Sequence, residues 1–229
     1  MGKHVNIAVG IATGESMWFP KFGLSLASMC SYFGMNRIAG SDSQRLTIAA
    51  RHGSMLSQQR IDVVVTAKKA GCTHILFLDT DMRFPRDVIH RLLAHNKEAV
   101  VANCVIKEIP TQPTAIGMDG KRVYTDPDSK GLEQVWRIGV AVGLIKLSIF
   151  DRLDPPWFYQ EWTPEIQHFK GEDVYFCNKL RARNIPIYID HDLSKQVYHI
   201  GPFDYGHEVV GEKVLEPVED TGLKEVKNA

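Results

Sequence analysis

The sequence lacks a long hydrophobic run and an excess of charge of either sign. Lys plus Arg and Asp plus Glu number 27 each in 229 residues, so the formal net charge is zero. A balanced chain has no overall positive field for non-specific nucleic-acid binding, although a local basic patch is compatible with it. The longest apolar runs, near residues 61–66 and 138–150, are too short or too charged at their edges for a membrane span. We therefore predict a soluble, cytoplasmic protein.

Cysteine is also scarce, and no internal repeat is visible. The four cysteines, Cys30, Cys72, Cys104 and Cys177, are scattered without a Cys-x-x-Cys pair. This spacing is typical of reduced, buried thiols and does not predict a zinc site. With 44% hydrophobic residues the chain can bury a core of its own, so a single domain is expected.

The first half of the sequence alternates between strand-like and helix-like segments. The predicted strands cover residues 4–11, 45–50, 74–78 and 98–105, and the predicted helices cover residues 22–33, 55–70 and 84–95. Alternation at this spacing predicts an α/β fold, in which a mostly parallel sheet is flanked by helices. Ligands bind such sheets at the carboxyl ends of the strands.

The pattern changes after Pro113 and predicts a smaller, mixed C-terminal part. A hairpin is expected over residues 114–125, because Asp119-Gly120 supplies the positive φ values of a type I′ turn. The other elements predicted in this part are a helix over 174–184 and short strands over 185–190 and 197–201.

Residues 74–81, HILFLDTD, attract attention because two acids follow a strand-like run. A buried strand here would deliver Asp79 and Asp81 to the carboxyl edge of the sheet. Residues two apart on an extended chain point to the same side, so the two carboxylates are candidates to hold one divalent cation. The alternative interpretation is a solvated strand end, or a helix N-cap before Phe84.

Other candidates are ambiguous in isolation. Glu172 and Asp173 precede a predicted helix, where acids can serve as no more than an N-cap and a favourable dipole charge. His199 lies on a short apolar strand, which is more typical of a core histidine than of a ligand. Trp157, in the segment PPWF, is either part of a structural corner or a ligand platform. Gly143, inside an apolar run, predicts a close approach to the backbone.

Taken together, these motifs resemble the GT-A glycosyltransferases, specifically the small, family 2-like enzymes of bacteria and bacteriophages. The matching segments, in order, are NIAVGIATGE, SQQR, LFLDTDMRFP, GLEQVWRIGVAVGLIKLSIFDRL, PPWF, GEDVYFCNKLRARNIPIYID and VYHIG. Each motif is weak alone, whereas their order and mutual spacing are specific. The resemblance covers most of residues 4–201.

The resemblance implies an enzyme, a glycosyltransferase of the hexosyltransferase type. It would move a sugar from a nucleotide-diphosphate sugar, a UDP-sugar above all, to an acceptor hydroxyl, with inversion. A Mn²⁺ or Mg²⁺ ion bridging the diphosphate would stabilise the charge of the leaving group. The implied catalytic domain covers residues 1–205, with a nucleotide-sugar half at 1–106 and an acceptor half at 107–205, and a charged, loosely ordered tail at 206–229.

The resemblance also assigns metal ligands. Asp81 matches the main protein ligand of the metal, and His199 matches a late histidine that completes the site. Asp79 matches the acid that contacts the donor ribose or a metal-bound water, and Thr80 belongs to the same donor site. An imidazole ligand favours Mn²⁺ over Mg²⁺. His191 is an alternative ligand in place of His199.

Nucleotide contacts and the catalytic base follow from the same resemblance. Thr13, Glu15 and Arg60 match the nucleotide-contacting loop and helix, with Arg60 donating to the base or a phosphate. Asp173 matches the general base that takes the proton of the acceptor hydroxyl, and Glu172 is the competing candidate.

The remaining matches concern the sugar and acceptor cleft. Gly139, Gly143 and Trp157 are expected to line it, with Trp157 stacking on an apolar sugar face. The sequence does not identify the acceptor, which is a glycan, a modified nucleic-acid base or a protein. A basic helix face at Lys179 to Arg183 would suit a nucleic acid, but such a face is more often simply solvated.

Two rival functions fit parts of the sequence. A haloacid-dehalogenase-like phosphatase also carries an Asp-x-Asp motif after a buried strand, but Met82-Arg83 and the missing later acidic element do not suit it. A non-catalytic nucleotide-sugar binding module would share the fold. Asp79, Asp81, Asp173 and His199 occurring together favour the enzyme.

Overall fold

The computed structural model describes residues 4–14, 17–165 and 167–211. Glu15 and residues 212–229 of the predicted tail lie outside these ranges. Among the described helices, none combines the length and the apolar character that crossing a membrane requires.

The described chain is built from short strands and a few longer helices. In chain order the strands are β1 (His4–Thr13), β2 (Ser43–His52), β3 (His74–Leu78), β4 (Met82–Arg83), β5 (Ala99–Val101), β6 (Ile116–Gly117), β7 (Leu132–Arg137), β8 (Val142–Lys146), β9 (Glu161–Thr163), β10 (His168–Lys170), β11 (Ile187–Asp190), β12 (Tyr198–Ile200) and β13 (Asp204–Tyr205). The α-helices are α1 (Pro20–Met35), α2 (Leu56–Lys69), α3 (Val88–Ala94), α4 (Glu172–Ala182) and α5 (His191–Ser194).

Eight strands form one sheet, in the order β2-β1-β3-β8-β5-β11-β7-β6. β1 pairs in parallel with β2 and β3, and β5 pairs in parallel with β11. β8 lies antiparallel between β3 and β5, and β7 lies antiparallel to β11 and β6. The predicted α/β fold, with a mostly parallel sheet flanked by helices, is confirmed. Six of its eight strands run in one direction, but four of the seven strand pairings are antiparallel, because β7 and β8, from the apolar run 132–149, run against the others.

Alternation along β3 divides the core into two layers. Phe77 belongs to the cluster that contains Val63 of α2, whereas Leu76 belongs to the cluster that contains Phe22 of α1. All four side chains are fully buried. Because successive side chains of a strand point to opposite faces, the next residue in phase with Phe77 is Asp79, which therefore faces α2.

The predicted hairpin after Pro113 forms, but with a different turn. Val123 N donates to Ala115 O at 3.0 Å, and Gly117 N donates to the carbonyl of residue 121 at 2.8 Å. Gly120 has a positive φ of 79°, whereas Asp119 does not have a positive φ. A type I′ turn needs positive φ at both central residues, so the connection is instead a three-residue loop with glycine at its last position.

Helix α4 begins at Glu172, so Glu172 and Asp173 lie in its first turn rather than ahead of it. Gly171 is the N-cap residue, and no side chain makes a capping hydrogen bond there. The interpretation of these acids as N-caps is therefore wrong. Their charge still suits the positive end of the helix dipole.

The start of the predicted tail is packed. His207 Nε2 lies 2.6 Å from the carbonyl oxygen of Asn103. Gly211 N donates to Thr111 O at 3.3 Å. The packed chain therefore extends beyond the predicted boundary at residue 205, to residue 211.

Gly143 owes its identity to packing inside the sheet. It lies in β8 opposite Phe77 and Val101, and it is buried. A Cβ atom added at Gly143 would lie 3.0 Å from Val101 Cγ1. The close approach that the sequence predicts is thus made by a core side chain, and Gly143 does not line a cleft.

We expect Gly143→Ala to lower the free energy of unfolding by about 1–3 kcal/mol, because the added methyl group overpacks a rigid strand crossing. The matched control is Gly34→Ala near the end of α1, where an added Cβ meets nothing within 4 Å. That change should be neutral or stabilise the protein by up to about 1 kcal/mol. Urea denaturation of both variants measures the difference, and an equal effect at both positions would contradict the packing explanation.

Candidate active site

Arg60, on α2, is the centre of the site and is only 1% exposed. Its Nη2 donates to Asp79 Oδ1 at 3.0 Å, its Nε donates to Glu172 Oε1 at 3.3 Å, and its Nη1 donates to Val140 O at 3.2 Å. Asp173 Oδ1 lies 3.9 Å from Nη2. A buried charge without partners is strongly unfavourable, so this guanidinium requires the carboxylates around it.

This arrangement contradicts the prediction that Arg60 contacts the nucleotide. Its three nitrogens all donate to protein oxygens, and almost none of its surface faces solvent. Arg60 instead holds acids from two distant parts of the chain: Asp79 after β3, and Glu172 with Asp173 at the start of α4. It therefore positions the site's carboxylates.

A turn separates the two acids of the Asp79-Thr80-Asp81 motif. Asp79 N donates to Ala141 O at 2.9 Å, which continues the sheet, but Met82 N donates back to Asp79 O at 3.2 Å. The chain is bent rather than extended here, so the expectation that both carboxylates point to one side is wrong. Asp79 turns to Arg60 of α2, whereas Asp81 turns to β12.

Asp81 is held by two basic side chains. Its Oδ2 lies 3.0 Å from His199 Nε2 and 2.5 Å from Lys107 Nζ. β12 brings His199 to this place because β12 pairs with β4, directly after the turn, and Ile200 N donates to Asp81 O at 2.7 Å. His199 Nδ1 lies 2.8 Å from Val105 O, which orients the ring so that Nε2 faces Asp81.

Lys107 is a site residue that the sequence did not predict. It lies in the loop after β5, where no periodic pattern or motif marks a functional residue. Its position beside Asp81 depends on contacts between segments far apart in the chain. Only the folded structure reveals it.

Asp81 and His199 are suited to hold a divalent cation. The described ranges contain no group of three His, Cys, Asp or Glu side chains that could surround a metal ion, so the predicted set with Asp79 reduces to a pair. The two ligand atoms of this pair are 3.0 Å apart. Neighbouring ligands of an octahedral ion with bonds of about 2.1 Å are also about 3 Å apart. The pair therefore fits two adjacent positions of an octahedral Mn²⁺ or Mg²⁺ site.

Asp173 presents one carboxylate oxygen to a cavity. Its Oδ2 accepts a hydrogen bond from Val140 N at 3.1 Å. Its Oδ1 is buried and has no hydrogen-bond partner among the described residues, while 23% of the side chain is exposed. A Cβ atom added at Gly139 would lie 3.7 Å from Oδ2, so glycine keeps the space in front of this oxygen open. Glu172, in contrast, is only 10% exposed and is tied to Arg60.

Two cavities are lined by carboxyl groups that Arg60 binds. One, of about 190 Å³, is lined by Thr13, Gly14, Phe19, Asp79, Thr80 and Asp81. The other, of about 370 Å³, is lined by residues that include Thr114, Arg122, Gly139, Lys170, Glu172 and Asp173. The predicted site residues Thr13, Thr80 and Gly139 are thus brought to the acids. Arg60 lies between the cavities, because it binds Asp79 of the first and Glu172 of the second.

The carboxyl groups differ sharply in acidity. Burial raises the pKa of Asp79 to about 7, against the attraction of Arg60, and the neighbouring acids raise it further. Burial also raises the pKa of Asp173. Burial acts in the same direction on Asp81, but the hydrogen bonds from its two basic neighbours outweigh it and hold its pKa at about 2. Asp81 is therefore a stable anion, whereas Asp79 and Asp173 take up a proton more readily than an exposed carboxylate does.

Trp157 lies away from these cavities. Its Nε1 donates to Leu153 O at 3.1 Å, and the Lys68 ammonium lies 5.6 Å from its ring centroid. Lys68 is near the far end of α2, about 12 Å or roughly two helical turns from Arg60. The structure contradicts a stacking role for Trp157 in the cleft.

His191 is also remote from Asp81. Its Nδ1 lies 3.0 Å from Thr125 Oγ1 and its Nε2 lies 3.0 Å from Glu133 Oε2. Both ring nitrogens are thus engaged by side chains remote from Asp81. His191 is therefore not an alternative to His199 beside Asp81.

Comparison with known proteins identifies a fold. No protein-family model matches the sequence, and no curated protein matches it. The fold is similar to that of A197 from STIV, with a TM-score of 0.52, 15% identity, and coverage of 88% of this chain and 86% of that chain. The nucleoside-diphosphate-sugar pyrophosphorylase from Vibrio cholerae RC9 aligns with a TM-score of 0.41 and 11% identity, over 84% of this chain and 94% of that chain. Similarity at these identities concerns the fold alone and assigns no activity.

We expect Arg60→Met to lower the free energy of unfolding by about 3–5 kcal/mol, because it leaves one largely buried and two partly buried carboxyl groups without their cation. The control is Arg152→Met, which removes a surface ion pair with Glu98 at 2.7 Å. That pair should contribute less than about 1 kcal/mol. Urea denaturation at pH 7 compares the two, and similar losses would contradict the central role of Arg60.

Replacing the two acids of the motif should change stability in opposite directions at pH 8. The folded pKa of Asp79, about 7, lies above the unfolded value, so stability falls as the pH rises from about 4 to about 7. We expect Asp79→Asn to raise the free energy of unfolding by about 1–2 kcal/mol at pH 8, and the gain should shrink toward pH 4.

Asp81 provides the matched comparison. Its folded pKa, about 2, lies below the unfolded value, so its stabilisation is present above about pH 4 and is lost as the pH falls toward about 2. Asp81→Asn should therefore lower the free energy of unfolding by about 1–2 kcal/mol at pH 8. Urea denaturation at pH 4 and pH 8 measures both variants. The same sign for both changes at pH 8 would refute the different environments described above.

Proposed function

We propose that this protein is a metal-dependent GT-A glycosyltransferase, which transfers a sugar from a nucleoside-diphosphate sugar, a UDP-sugar, to an acceptor hydroxyl with inversion. The observation that carries the proposal is the pair of cavities whose acids Arg60 holds together. One contains an acid with a histidine partner suited to a metal, and the other contains an acid with an open oxygen and a raised pKa. Transfer between two bound substrates needs such a pair of adjoining sites. The motif order described above supports the same reaction.

The donor would bind in the cavity beside Asp79, Thr80 and Asp81. Thr13 and Thr80 bring their hydroxyls within 3.4 Å of each other there and offer polar contacts to a nucleotide. Asp81 and His199 would hold Mn²⁺ or Mg²⁺, with Mn²⁺ favoured by the imidazole ligand. When bound, the ion would stabilise the negative charge that develops on the leaving diphosphate.

The acceptor would bind in the cavity beside Asp173. Asp173 Oδ2 accepts the proton of the acceptor hydroxyl while the oxygen of that hydroxyl forms a bond with the anomeric carbon. The bond from this carbon to the diphosphate oxygen breaks, and the nucleoside diphosphate leaves with the electron pair. Because burial raises the pKa of Asp173, it is a stronger base than a surface carboxylate.

We assign the base to Asp173 rather than to Glu172. The Glu172 side chain is only 10% exposed, against 23% for Asp173, and its Oε1 accepts a hydrogen bond from Arg60 Nε at 3.3 Å. Glu172 would instead fix the position of Arg60, and through it the position of Asp79. A phosphatase mechanism is not favoured, because its nucleophile would be Asp79, and Arg60 Nη2 lies within 3.4 Å of both Asp79 oxygens.

The test is turnover of UDP-sugars in the presence of Mn²⁺, followed as release of UDP. Asp173→Asn should lower kcat by about 10²–10⁴, the usual contribution of general-base catalysis, and leave UDP affinity within about twofold. Asp62→Asn, on the surface of the same helix as Arg60, is the control and should keep full activity. Chelation of divalent ions should abolish turnover. UDP binding without turnover of any UDP-sugar would point to a binding module, and hydrolysis of simple phosphate esters would point to a phosphatase.

A further inference from the structure

Lys107 reaches the mouth of the proposed donor cavity. Its Nζ lies 2.5 Å from Asp81 Oδ2 and 5.7 Å from the ring centroid of Phe19, and both of these residues line that cavity. The side chain is 34% exposed. Its stem runs beside Gly201, where an added Cβ would lie 3.6 Å from Lys107 Cδ. The ammonium therefore lies at the mouth of the cavity and is accessible from it.

Lys107 and a divalent cation need the same oxygen of Asp81. His199 Nε2 also faces this oxygen, at 3.0 Å, so the place beside both ligands is the one that the ammonium approaches. Two cations attracted to the same lone pairs repel each other strongly at such a distance. Binding of a divalent ion at Asp81 therefore requires the ammonium to leave, which its flexible four-carbon stem permits.

We propose that Lys107 is a diphosphate-binding residue of the donor site, and that Asp81 holds its ammonium at the cavity mouth until a donor and a divalent cation arrive. This inference rests on the proposed function. A donor diphosphate brings several anionic oxygens to the cavity that Lys107 borders, and an ammonium is a strong point-charge partner for phosphate. The ammonium then leaves the Asp81 carboxylate and contacts phosphate oxygens instead, and Asp81 is free to bind the metal.

The inference predicts two separate changes in a protein without Lys107. Its affinity for a diphosphate should fall, because one charge-assisted contact is lost, whereas its affinity for the nucleoside alone should not change. Its affinity for a divalent cation in the absence of nucleotide should rise, because the competing ammonium is gone. A purely structural role would produce neither pattern.

The experiment uses the full chain as wild type, Lys107→Met and Lys107→Arg. The control is Lys21→Met, which removes another lysine bonded to an aspartate, Asp204, at 2.7 Å. Titration calorimetry at a saturating Mn²⁺ concentration, at which Asp81 has released the ammonium, measures the binding of UDP and of uridine. We expect Lys107→Met to weaken UDP binding about tenfold, the effect of one hydrogen bond to a charged group, and to leave uridine binding within about twofold. Lys107→Arg, which keeps the charge, should retain most of the UDP affinity.

The second measurement is Mn²⁺ binding without nucleotide, followed by the electron paramagnetic resonance signal of free Mn²⁺. Lys107→Met should bind Mn²⁺ about tenfold more tightly than the wild type, and Lys21→Met should bind it equally. Unchanged UDP affinity, an equal loss for uridine, or unchanged Mn²⁺ affinity in Lys107→Met overturns the inference. A wild type that binds neither UDP nor uridine overturns the proposed function as well, which distinguishes that failure from the failure of Lys107 alone.

Discussion

The site depends on one buried interaction, the contact of the Arg60 guanidinium with three carboxyl groups and a carbonyl. Water does not solvate a charge at this depth, so the fold must supply anions from elsewhere in the chain. Asp79 comes from the end of a central strand, and Glu172 with Asp173 from the start of α4. Arg60 therefore fixes the distance between two halves of the molecule that the sequence separates widely.

The excess of negative charge around Arg60 has a chemical consequence. Burial raises the pKa values of Asp79 and Asp173, and the neighbouring acids, which one cation does not balance, raise them further. Such a cluster is unfavourable for stability, since protein interiors avoid unpaired charge. Perturbed carboxyl groups beside cavities are typical of catalytic sites, where activity is maintained at a cost in stability. The proposed base, Asp173, is one of these groups.

Asp81 belongs to a different electrostatic environment only a short distance along the chain. The turn after Asp79 sends Asp81 away from the Arg60 cluster and toward His199 and Lys107, which keep it ionised. The motif thus divides into one acid tied to the carboxylate cluster and one acid suited to a cation. This division suits the proposed reaction, in which a negatively charged group departs from one side of a sugar and a proton is taken up on the other side.

Some of this organisation was predictable from local patterns. Alternation of apolar residues along HILFL predicted the central strand and its acidic end, because the period of a strand is a property of the local chain. The helices that alternate with the strands were predictable in the same way, and the structure confirms this α/β alternation. Motif order brought Asp79, Asp81, Asp173 and His199 together as candidates, and the structure places Asp81 beside His199, and Asp79 and Asp173 around Arg60.

Other features depended on pairings between distant segments. The insertion of β8 between β3 and β5, the core packing of Gly143 and the remote position of Trp157 have no local signal. Nor does the sequence show that Arg60 is buried, since an arginine on a helix is usually exposed. Lys107 could not be predicted either, because its position beside Asp81 also depends on contacts between distant segments.

The sequence by itself determined the alternating strands and helices of the first half, helix α4, and most of the chemical types of the site residues, because periodicity and motif spacing are encoded locally. Tertiary structure alone decided the partners: which acid meets Arg60, which meets His199 and Lys107, and which oxygen is left open. Which groups pair with a charge depends on burial and on contacts between segments far apart in the chain. No single segment of the sequence encodes either.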